Sequence, residues 1–83
     1  MKFTYRTSGV CSRSIDIELD GNIITDVSFM GGCHGNLQGI GQLVKGMDID
    51  EVIGRLENIK CGYKSTSCPA QLAQALKQYK AEN

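Results

Sequence analysis

The sequence predicts an α+β domain, a three-stranded antiparallel sheet followed by three helices packed on one face (β-β-β-α-α-α), with residues 1–83 forming a single domain. Three observations predict it. Apolar and polar residues alternate at period two as far as Phe29, the pattern of strands with one buried face. From Leu37 onward the apolar spacing changes to three and four, the period of a helix. Glycine, asparagine, aspartate and proline fall where one pattern gives way to the next. A sheet with one apolar face needs a cover, and the helices supply it.

The first strand carries Phe3 and Tyr5 between Lys2, Thr4 and Arg6, and the second carries Ile15, Ile17 and Leu19 between Asp16, Glu18 and Asp20. Asp20-Gly21-Asn22 is turn chemistry, because Gly and Asn tolerate positive φ, and Ile23, Val27 and Phe29 follow as the inward side of a third strand. Asn36 is then expected to cap a helix whose shared face is Leu37, Ile40, Leu43 and Val44 and whose stop is Gly46. Gly39 and Gly41 inside it each cost about 1 kcal/mol relative to Ala, so both are expected to permit close packing on the sheet or on another chain. Asp48 or Asp50 caps a second helix bearing Val52, Ile53, Leu56 and Ile59 and ending near Ile59. Pro69 suits the first turn of a third helix, with Cys68 at or beside its N-cap and Leu72, Ala73, Leu76 and Tyr79 inward.

A chain this short buries only about 60–65% of its unfolded surface, so a staple such as a bound metal carries weight in its stability. Nine basic and nine acidic residues leave no net charge to draw in nucleic acid or an anionic membrane surface, so neither is an expected partner. The N-terminal residues lack the apolar stretch of a secretory signal and no apolar run approaches the roughly 18 residues of a membrane span, so the expected location is the cytoplasm. In that reducing compartment four cysteines argue for metal binding or redox chemistry ahead of structural disulfides.

Those cysteines all fall at element ends. Cys11 precedes the second strand, Cys33 follows the third, Cys61 lies in the loop after the second helix, and Cys68 opens the third helix. Between successive cysteines lie 21, 27 and 6 residues, with no CxxC pair, so the signal is placement rather than spacing. Antiparallel pairing sets the start of the second strand beside the end of the third, which makes Cys11 and Cys33 neighbours. Docking of the third helix with its N-terminus at the same edge would add Cys68 and Cys61. A thiolate there is favoured by the helix dipole and by unpaired backbone N–H groups. Four thiolates suit Zn²⁺, and the same donors can hold an iron–sulfur cluster. His34 beside Cys33 is a further candidate ligand. The glycine-rich run here lacks the Lys of a P-loop, and Ser8, Ser12, Ser14, Ser65 and Ser67 have no His–acid partners for hydrolysis.

Gly9-Val10-Cys11-Ser12, Phe29-Met30-Gly31-Gly32-Cys33-His34-Gly35-Asn36-Leu37, Cys61-Gly62 and Thr66-Ser67-Cys68-Pro69 together resemble, in order, the TSCPD domain family over nearly the whole chain. The family occurs as short stand-alone proteins and as a C-terminal domain of vitamin B12-dependent ribonucleotide reductases, and its cysteines are thought to bind metal. The departure is Ala70, where the family name calls for Asp. Its loss removes a helix N-terminal charge or a hydrogen-bonding partner of the site and leaves all four sulfurs. The chain is also similar in outline to iron–sulfur scaffolds of the NifU/IscU type, through Cys11, Cys33, Lys45-Gly46 with Asp50-Glu51, and Cys68.

The resemblance implies a zinc-binding accessory domain with ligands Cys11, Cys33, Cys61 and Cys68, acting with a ribonucleotide reductase or another reductase in the synthesis of DNA precursors and not catalytic alone. The alternatives are a thiol redox relay through Cys61 and Cys68, or an iron–sulfur scaffold. A free sheet edge and a glycine-rich helix make a homodimer a further expectation.

Overall fold

The computed structural model describes residues 1–32 and 34–82. Three strands, β1 (Lys2–Arg6), β2 (Ser12–Asp20) and β3 (Ile23–Gly31), precede three helices, α1 (His34–Val44), α2 (Ile49–Leu56) and α3 (Cys68–Glu82). The sheet is antiparallel in the order β1-β2-β3, as the alternating pattern predicts.

β2 is the central strand, and its inward residues Ile15, Ile17 and Leu19 are all buried. Tyr5 pairs with Ile15 and Phe3 with Ile17 on one side, and Phe29 and Val27 pair with the same two isoleucines on the other. α3 lies against this face with Leu72, Ala73, Ala75 and Leu76 fully buried, while Val44 of α1 and Ile49 and Val52 of α2 close the core. Near the far end of α3, Phe3 and Tyr79 stack with centroids 5.5 Å apart, and Lys80 pairs with Asp50 of α2.

Four details differ from the sequence reading. The inward residue at the start of β3 is Ile24, not Ile23, which is 40% exposed. Glu18 pairs with Asp26 and Leu19 with Ile24, so Thr25 is an extra residue in β3 that reverses the alternation. α1 starts at His34, so Asn36 lies within its first turn; the chain has already turned at Gly31 and Gly32, both at positive φ. Leu43 is 78% exposed, because the buried stripe is Leu37, Gly41 and Val44, and Leu43 sits about 100° around the helix from Val44. α2 ends at Leu56, capped at its start by Asp48, whose carboxylate accepts from the N–H of Asp50, and Ile59 falls beyond it at 41% exposure.

Candidate functional site

Local sequence chemistry sets where α3 begins. Ser67 is its N-cap, with Oγ accepting from the N–H of Ala70 at 3.1 Å and its carbonyl accepting from the N–H of Gln71 at 2.8 Å. The Ser67 hydroxyl also donates to the carbonyl of Ile59 at 2.7 Å, which ties the cap to the chain just past α2. Cys68 is therefore the first helical residue, with Pro69 next, where a missing N–H leaves no helical bond unmade. Ala70 is 3% exposed, so the position where the family name has Asp is inside the protein here.

The N-terminus of α3 docks on the start of β2. Cys68 Sγ lies 3.7 Å from Cys11 Sγ and 3.1 Å from Ser12 Oγ. Cys68 and Ser12 are buried, whereas Cys11 is exposed. Gln71 locks the arrangement from one turn further along, although it is a polar side chain that is itself buried. Its Oε1 accepts from the N–H of Ser8 at 3.2 Å, and its Nε2 donates to Thr66 Oγ1 at 3.1 Å, so the β1–β2 loop and the segment before α3 are fastened to one amide. Both ends of that amide are satisfied, as burial requires.

Cys61 belongs to a loop closed on itself: its N–H donates to the carbonyl of Thr66 at 3.1 Å and its own carbonyl accepts from the N–H of Lys64 at 3.0 Å. Since Thr66 is also held by Gln71, the Cys61 loop is coupled through one residue to the segment that carries Cys68. Cys61 itself is exposed. Of the four expected ligands, the structure brings Cys11 and Cys68 together. Cys33 lies outside the described residues; it follows Gly32 in the chain, and Gly31 pairs with Ser12 across the sheet. Among the described residues no three ligand-type side chains converge, so Cys61 does not join Cys11 and Cys68 in a group of three, and the sulfur in contact with Cys68 is that of Cys11. His34 opens α1 as an exposed residue.

A covalent S–S bond is about 2.05 Å, so 3.7 Å between Cys11 and Cys68 is a non-bonded pair. In a tetrahedron of thiolates around Zn²⁺ at about 2.3 Å, each sulfur–sulfur edge is about 3.8 Å. The Cys11–Cys68 distance is that of an ordinary thiol–thiol contact, in which either Sγ can donate, and it is also compatible with two ligands on one tetrahedral ion. Two residues of the site escaped the sequence reading. Ser12 and Gln71 are polar residues in a strand and a helix, and only the docking of α3 buries them; the one local signal was that Ser12 adjoins Cys11.

A family model described as the TSCPD domain matches residues 3–80. No curated protein and no solved structure matches the chain. No helix among the described residues is long and apolar enough to cross a membrane.

Proposed function

Because the chain belongs to the TSCPD domain family, we propose that it is a small metal-binding domain, with Zn²⁺ held by the thiolates of Cys11 and Cys68, which meet in the fold, and of Cys33 and Cys61, the last of which would have to be drawn in from its exposed loop. The observation that carries the reading is the Cys11–Cys68 pair. Two cysteines from opposite ends of the chain meet at 3.7 Å, a distance compatible with one edge of a tetrahedral zinc–thiolate site. The donor set supports it as well, since soft thiolates select Zn²⁺ or an iron–sulfur cluster over hard cations. A bound ion would neutralise the thiolates and staple the β1–β2 loop, the end of β3 and the start of α3. In a chain with so small a core, that binding energy becomes folding energy.

The domain acts, in this reading, beside a ribonucleotide reductase or another reductase in the supply of DNA precursors, and is not a catalyst by itself. Support for that partner is the family's occurrence at the C-terminus of B12-dependent ribonucleotide reductases. Balanced charge gives no support to a nucleic-acid partner.

Elemental analysis of protein purified without oxygen, combined with thermal melting in chelator, tests the metal. The expected result is about one zinc per chain and a melting temperature that falls when the ion is removed. Iron and sulfide in place of zinc would assign an iron–sulfur cluster to the same sulfurs. Less than about 0.2 equivalents of any metal, with melting unaltered by chelator, overturns the reading.

A further inference from the structure

Ser12 is the first residue of β2 and is 3% exposed. A hydroxyl so buried is costly unless it is hydrogen-bonded. Its Oγ lies 3.1 Å from Cys68 Sγ, which is buried with it. The backbone that carries this hydroxyl is held on both sides: the Ser12 carbonyl accepts from Thr7 Oγ1 at 2.6 Å, and Ser12 pairs with Gly31 across the sheet. The hydroxyl is therefore delivered to the sulfur by the sheet and not by a flexible loop.

Chemistry decides the direction of the bond once a metal is present. A metal-bound thiolate has no proton and can only accept, so the Ser12 O–H must donate to it. Such a bond to a charged sulfur is stronger than one between neutral partners. Groups that hydrogen-bond to a ligand in this way orient it and set its electron density, and losing one typically weakens metal binding by about 10–100-fold. We propose that Ser12 is a positioning residue of the metal site, donating its hydroxyl hydrogen to the Cys68 thiolate and thereby fixing that sulfur's direction and charge. The inference rests on the metal reading above and adds to it a residue that carries no ligand atom.

The test measures zinc affinity by competition with a chromophoric chelator, for the wild-type protein and for Ser12→Ala, Ser12→Thr and Ser12→Val. Thr and Val are nearly equal in shape and differ in the hydroxyl, so their comparison stands even if the alanine variant folds poorly. Ser12→Ala and Ser12→Val are expected to bind about tenfold or more weakly, with Ser12→Thr closer to wild type. A second readout is the sulfur-to-metal charge-transfer band of the cobalt(II)-loaded protein. It is expected to move to longer wavelength in Ser12→Val, where the hydrogen bond is lost, and to stay near the wild-type position in Ser12→Thr, which has nearly the same shape and keeps the hydroxyl. Wild-type binding with Ser12→Val matching Ser12→Thr in both affinity and spectrum overturns this inference alone. A wild-type chain that takes up neither zinc nor cobalt overturns the metal reading and this inference together.

Discussion

Position 32 admits no side chain. Gly32 has φ +80°, and a Cβ there would stand 2.9 Å from Leu37 Cδ1, 3.0 Å from Cys11 Sγ and 3.1 Å from the Ser12 backbone nitrogen. A substitution adds backbone strain to a collision with a site sulfur, and each such strained residue costs about 1–3 kcal/mol. Gly32→Ala is therefore expected to lower the melting temperature by several degrees, since about 1 kcal/mol corresponds to roughly 4–8 °C in a domain of this size. It is also expected to weaken zinc binding by displacing Cys11; an alanine variant that melts and binds like wild type would show that Cys11 is not confined by this turn. Part of the site was legible residue by residue. Pro69 marked Cys68 as the start of a helix, and antiparallel pairing placed the start of β2, beside Cys11, next to the end of β3. Ser12 and Gln71 were not legible, because the partners that bury them, Cys68 and Ser8, are 56 and 63 residues away in sequence.

Among the elements, α1 shows how the sheet decides what a helix residue is for. Gly39 and Gly41 look alike in the sequence, yet only one touches the sheet. A Cβ on Gly41 would stand 2.6 Å from the carbonyl oxygen of Val27 in β3, while a Cβ on Gly39 would meet nothing within 4 Å. Gly41→Ala is expected to push α1 off the sheet and destabilise the fold. Gly39→Ala is expected to stabilise it by about 0.5–1 kcal/mol through the better helix propensity of alanine. Denaturant unfolding of the two variants checks this, and equal effects of the same sign would contradict the packing described. The order and type of all six elements followed from periodicity and turn residues. Their edges did not, since the bulge at Thr25 and the stripe through Gly41 depend on contacts between elements. The main chain from Gly46 to Ile49 adds another such contact. It bonds to Asn22 and Ile24, through Gly46 N–H to Ile24 O at 2.7 Å, Ile24 N–H to Met47 O at 3.0 Å and Ile49 N–H to Asn22 O at 2.8 Å. The junction of α1 and α2 is thereby fastened to the β2–β3 turn.

In the molecule as a whole, α3 links stability to the site. Its middle fills the core with Leu72, Ala75 and Leu76, and its first residue puts a thiol against the start of β2. The same docking that buries the apolar face therefore brings Cys68 to Cys11, across 57 residues of sequence. The four-cysteine site requires that docking to bring both Cys61 and Cys68 to Cys11; α3 brings Cys68, while Cys61 stays exposed and joins no group of three among the described residues. X-ray absorption at the zinc edge of the purified protein reads the proposed four-sulfur zinc site at the metal itself. Four sulfur neighbours at about 2.3 Å and no nitrogen or oxygen ligand are expected. A zinc ion with fewer than four sulfurs, or protein that carries no metal, would contradict that proposal.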